Sequence, residues 1–220
     1  MLFKFYLVVL VVLAVSVKIS SQVFESIENA SAQYFIHLSN KSSDAENDLI
    51  NLKNLLFQSY NKAELENKYQ TSIIQFDSLK NHFNEYESKT KNISKDSALV
   101  LFNQWYLHFS NLFYNYADEK FFSSNNTKIL FFSTSMSCHC TLEMCKKQTV
   151  EILDLAKEMN LDYWIVDSYE HNELQIKFET LFASAAVVFD KSGNVLLKIE
   201  YDENLLPRLS EFFKTKLKGE

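Results

Sequence analysis

Apolar residues recur every three or four positions from Val23 to about Phe122, a recurrence that predicts helices rather than strands. The first helix is expected over 23–38, closed by the polar run 39–43. The second is expected over 45–60, with Leu49, Leu52, Leu56 and Tyr60 on one stripe. The third, over 63–87, aligns Leu65, Tyr69, Ile73, Phe76, Phe83 and Tyr86. The fourth starts near Asp96 and aligns Leu99, Phe102, Trp105 or Tyr106, Phe109, Leu112 and Tyr116. No Gly or Pro interrupts 22–124, and Ser94 or Asp96 is placed to cap the fourth helix.

After Asn126 the period changes. Short apolar runs at 128–134, 161–166, 185–189 and 195–201 read as strands. Helical patterns occupy 141–159, 171–181 and 203–217, and 190–194 is a hairpin turn in which Gly193 is free to take positive φ. The order is β-α-β-α-β-β-α. Its first crossover implies two parallel strands joined by a right-handed connection. Helices are expected on both faces of such a sheet. The fold class is therefore α/β over 126–220, preceded by a helical region over 22–125.

Composition narrows the picture. Hydrophobic residues make up 47% of the chain and aromatic residues 15%, enough for a sizeable core. Two glycines and one proline disfavour a turn-dense all-β protein. A net charge of −6 without a basic block argues against a nucleic-acid partner. Residues 1–21 combine Lys4 with an unbroken apolar run, the pattern of a secretory signal. The run is shorter than the roughly 20 residues of a membrane span. Export, periplasmic or secreted, is the expectation, with membrane contact only if the segment stays uncleaved as an anchor. No cysteine follows the run to accept a lipid. Oligomeric state leaves no mark on the sequence.

The candidate chemistry lies in one stretch. Cys138, Cys140 and Cys145, all the cysteines of the chain, sit with His139 where the first strand turns into the following helix. A helix N-terminus offers unpaired N–H groups and partial positive charge, which favour a reactive thiolate. His139, Lys146 and Lys147 are candidate cations beside it. An extracytoplasmic compartment permits disulfides. Pairing stays open at this point: Cys145 with Cys138 or Cys140 is sterically reasonable, and Cys138 with Cys140 closes a small, strained and more oxidising ring.

The element order, cysteines at the end of the first strand, and Ala185-Ala186-Val187-Val188-Phe189-Asp190 followed by Lys191-Ser192-Gly193-Asn194 resemble the thioredoxin-like superfamily over roughly 126–218. The resemblance implies a thiol–disulfide oxidoreductase acting on protein thiols, with Cys138 attacking, Cys140 or Cys145 resolving, and a redox-active disulfide in place of any bound cofactor. Two departures accompany it. Cys-His-Cys-x-x-x-x-Cys replaces Trp-Cys-x-x-Cys, and Ala185 stands where that family has a cis-proline, so a trans bond is expected there. Two other readings use the same residues: a copper or zinc module with Cys138, His139, Cys140 and Cys145 as ligands, and a non-catalytic interaction module of the same fold. The aromatic stripe over 102–122 reads as core or as the contact between the helical region and the α/β unit. His37, His82 and His108 are isolated on helices and suggest no metal site.

Overall fold

The computed structural model describes residues 22–216, so the expected export segment lies outside the described residues. Six helices come first: α1 (Val23–Ser39), α2 (Ala45–Phe57), α3 (Lys62–Asn67), α4 (Ile73–Thr90), α5 (Lys95–Leu112) and α6 (Tyr114–Ser123). They are followed by β1 (Lys128–Ser133), α7 (His139–Met159), β2 (Asp162–Asp167), α8 (Asn172–Lys177), β3 (Ala185–Phe189), β4 (Val195–Glu200) and α9 (Leu205–Lys216). The strands form one mixed sheet in the order β2-β1-β3-β4, with β1 parallel to β2 and the other two pairs antiparallel. The chain is an α/β protein with a helical N-terminal half. Among the described residues no helix is long and apolar enough to cross a membrane.

Several expected helices are shorter or divided, each for a local reason. The helix expected to run to Tyr60 stops at Phe57, and Asn61 starts a new one by accepting the N–H groups of Ala63 and Glu64. The pattern over 63–87 is split because Gln70 adopts a left-handed conformation, after which Ser72 and Gln75 form a capping box. The fourth helix is capped by Ser94 and breaks at Phe113, which closes α5 and opens α6. The helix expected over 171–181 spans only Asn172–Lys177. Its end, like those of α1 and α7, is closed by a left-handed residue and a hydrogen bond from the next N–H: Glu179, Lys41 and Asn160 take a role usually given to glycine. Gly193, at φ 84°, serves the β3–β4 hairpin as expected. The peptide bond entering Ala185 is trans, whereas the bond between Ala183 and Ser184 is cis.

Every residue of β1 and β3 is buried, so both faces of the sheet need cover. The strand register puts Leu130, Trp164, Val187 and Phe189 on one face. There α6 and the end of α8 supply Phe121, Phe122 and Phe178, whose rings lie 5.2–6.3 Å from those of Trp164 and Phe189. The other face carries Ile129, Phe131, Ser133, Ile165 and Ala186 and is covered by α7, with α9 alongside it. Helix α5 packs on β2 and α7, and the Ser110 hydroxyl donates to the Ile165 carbonyl. One continuous hydrophobic core thus runs from Val23 to Phe213.

Because Phe121 joins the helical half to the sheet, Phe121→Ala should lower the unfolding free energy by about 3–5 kcal/mol. Within each of Trp105→Phe and Trp164→Phe, urea unfolding followed by the remaining indole and by far-UV circular dichroism should give the same midpoint, since the indole reports one half and the dichroism both. Two distinct midpoints within one protein would mean that the halves fold independently.

Candidate active site

The end of β1 leads into Thr134, Ser135, Met136 and Ser137, and the turn is held from two sides. The Thr134 hydroxyl donates to the Met136 carbonyl at 3.0 Å, and the Ser135 N–H donates to the Asp167 carboxylate at 3.0 Å. Asp167, at the end of the parallel neighbour β2, also accepts the Tyr169 N–H at 3.1 Å and the Asn111 side-chain amide at 3.3 Å. The turn delivers Cys138 to the N-cap of α7, with extended backbone angles of φ −63° and ψ 156°. The helix starts at His139, two residues before the expected Thr141, so Cys140 lies in its first turn.

The structure brings two of the four candidate residues together. The sulfurs of Cys138 and Cys140 are 2.7 Å apart, both residues are exposed, and all three cysteines are free thiols. The Cys140 thiol is the main cause of a Cys138 pKa brought down to about 6. The Thr141 hydroxyl, 3.2 Å away, its backbone N–H and the Ser137 hydroxyl add to the effect. An N-cap side chain normally accepts a helix N–H through oxygen. Cys138 makes no such cap bond, but its sulfur lies beside the Thr141 hydroxyl and N–H, and a thiolate accepts more strongly than a thiol.

Cys145 is placed elsewhere. It faces the core on α7 with no exposed surface, beside the Ser133 hydroxyl and the Thr134 N–H. Burial pushes its thiol up to about 12, and the Asp167 charge adds to this. His139 is exposed on the first turn. The lysines do not serve the thiol as expected: Lys146 pairs with Glu143, and Lys147 lies 3.6 Å from Glu151. Hydroxyl and thiol donors therefore replace the expected cations in stabilising the thiolate. Among the described residues, no three His, Cys, Asp or Glu side chains converge in the manner of a metal site. The adjacent Cys138 and His139 lie on a helix start while Cys145 points inward, so the four proposed ligands do not form one set.

Sequence reasoning missed the hydroxyl of Thr141, although a Thr three residues after an N-cap was a readable signal. It also missed Gln148, which is 1% exposed on α7. Gln148 accepts the Ser184 hydroxyl and donates to the Asp202 carbonyl at 2.7 Å, tying the cis loop and the β4–α9 connection to the cysteine helix. The pair stands between two openings. On the Cys138 side, a groove of about 500 Å³ is lined by Met136, Thr141, Tyr169, Leu181, Phe182 and Tyr201. On the Cys140 side, a cleft of about 980 Å³ is lined by Glu143, Met144 and Asp202, and by Ser39, Asp96 and Leu99 of the helical half. Compared with family models, curated proteins and solved structures, the chain matches none.

The thiolate environment sets a pH profile. Alkylation of Cys138 by iodoacetamide, followed by peptide mass mapping, should show a midpoint near pH 6, with the rate falling below it as the thiolate is protonated. Thr141→Val should move that midpoint upward by about one pH unit through loss of a donor to the charged form. Cys145 should be alkylated only after unfolding.

Proposed function

We propose that the protein is an exported thiol–disulfide oxidoreductase of thioredoxin-like fold that acts on protein thiols through Cys138 and Cys140. The observation that carries this reading is the exposed pair at the start of α7, one member of which is held largely as thiolate at neutral pH. The strand order β2-β1-β3-β4, with only the first pair parallel, supports the same architecture, as does a cysteine at the end of the central strand. The N-terminal apolar run supports export.

The chemistry follows from the two environments. With a pKa about one unit below neutral, Cys138 is roughly nine-tenths thiolate at pH 7. That thiolate attacks one sulfur of a substrate disulfide. A mixed disulfide forms, and the first substrate thiolate leaves and takes a proton from water. Cys140 then loses its proton and attacks the Cys138 sulfur, closing the Cys138–Cys140 disulfide and expelling the second substrate thiolate. Two electrons pass from the pair to the substrate. The reverse sequence oxidises a substrate dithiol, and the donors around Cys138 then stabilise it as the leaving group. Cys145 takes no part, because its buried thiol lacks both access and charge. The exposed side chains of Met136, Leu181 and Phe182 beside Cys138 offer an apolar surface to the polypeptide around the reacting substrate sulfur.

Turnover of a fluorescently labelled, disulfide-linked peptide tests the proposal. Cys138→Ser should lower the rate by about 100-fold or more, as expected when a nucleophile is removed. Cys140→Ser should accumulate a mixed disulfide between Cys138 and the peptide, and Cys145→Ser should remain within about twofold of the parent rate. Mapping of the oxidised protein should find Cys138 joined to Cys140. A Cys138→Ser protein with full activity, or an oxidised protein with all three thiols free, would overturn the proposal.

A further inference from the structure

A cavity of about 480 Å³ opens between α1, α6 and the start of β2, at the end of the sheet remote from the cysteines. Its size falls within the range of small-molecule sites. Phe24, Phe121, Tyr163 and Trp164 provide apolar wall, while Glu28, Lys120 and Asp162 supply charge. Most of these charges already have partners. Asp162 accepts the Ser124 hydroxyl and, at 3.2 Å, the Asn126 amide. Lys120 lies 3.2 Å from Glu25, which also accepts the Tyr116 hydroxyl at 2.6 Å.

Glu28 differs. Among the described residues no hydrogen bond reaches its carboxylate. The residue is half-buried and lines the cavity, as expected of a side chain that opens into it. The groups facing it are Glu25 from α1, Lys120 from α6, Asp162 and Tyr163 from β2, and Tyr106 from α5. Burial is the main reason that its pKa rises to about 8. Glu25 and Asp162 push the same way, and Lys120 opposes them.

We propose that this cavity binds a small organic cation, an amine carrying an aromatic or apolar body, with its ammonium group on Glu28. The charge balance selects this class. Two carboxylates, Glu28 and Asp162, line the space, and its one lysine is already engaged by Glu25, so an anionic ligand meets repulsion and a neutral one leaves Glu28 unpaired. The aromatic wall suits the ligand's body, and two of its rings already carry cations: Lys120 lies 5.2 Å from the Phe24 centroid and Lys128 5.5 Å from that of Phe121. Binding has a proton balance. At pH 7 the protonated Glu28 gives its proton to solvent as the ammonium arrives, and a buried ion pair replaces a neutral acid. The site is independent of the cysteine chemistry, and neither reading depends on the other.

Calorimetric titration of the full chain with phenethylamine at pH 7 tests the proposal, run in two buffers of different ionisation enthalpy. Saturable binding of one amine per chain is expected, with a dissociation constant at or below about 1 mM and release of nearly one proton. Phenylacetate, which has a similar body and the opposite charge, should not bind. Glu28→Gln, close in shape and neutral, should weaken the amine at least about tenfold and abolish proton release. Absence of amine binding, equal binding of phenylacetate, or amine binding without proton release would each overturn the proposal on the unsubstituted protein alone, whatever the variant's folding. An unchanged amine affinity in folded Glu28→Gln would do the same.

Discussion

A strand buried on both faces needs two apolar covers, and β1 imposes that requirement here. All six of its residues are buried, including Lys128, so neither face of the sheet can be left to solvent. One cover comes from the cysteine helix α7 and the closing helix α9. The other comes largely from the aromatic end of the helical half, through Phe121 and Phe122. Lys128 shows how strict the demand is. Its stem lies in the aromatic layer, its amine donates to the Ser124 carbonyl at 2.6 Å, and desolvation lowers its pKa. Helices α5 and α6 are therefore part of the sheet's packing, and Ser39, at the end of α1, with Asp96 and Leu99 of α5 also walls the larger cleft beside Cys140.

The same strand sets the chemistry. Ending β1 next to Asp167 of β2 allows one carboxylate to hold the turn that follows, and the turn places Cys138 at the N-cap of α7. Three cysteines within eight residues then meet three environments. Cys138 accepts donors from a thiol, two hydroxyls and a backbone N–H; Cys140 is exposed beside it; Cys145 turns toward the core and is raised by burial. Helical geometry separates them, because positions five residues apart on a helix of 3.6 residues per turn point in clearly different directions. The proposed exchange pair is the consequence: the two sulfurs near the helix start share solvent and each other, and the third has neither.

Much of the architecture is legible in the chain. The change from a helical period to short apolar runs at about Asn126 marks where the strands begin, and the strand positions agree with the structure to within about one residue at each end. The breaks were harder to see. Ser72 and Gln75 are a readable capping box, but the apolar stripe through Tyr69 and Ile73 continues across it and hides the interruption. Gln70, Lys41 and Glu179 adopt left-handed conformations that nothing in their side chains announces, since tertiary packing rather than local preference chooses where the chain must turn.

Residue types and periodicity by themselves determined the element order after Asn126, the α/β class and the confinement of all cysteines to one strand–helix junction, because these depend on local patterns of burial. Tertiary structure alone decided which thiols meet, that hydroxyls rather than Lys146 and Lys147 surround Cys138, and that Glu28 faces a cavity. Each of these depends on which side of a helix a side chain takes and on what another element places opposite it. Spacing along the chain holds Cys138, Cys140 and Cys145 equally available for pairing. The depth of α7 against the sheet separates them, by leaving its first turn in water and carrying the next one into the core.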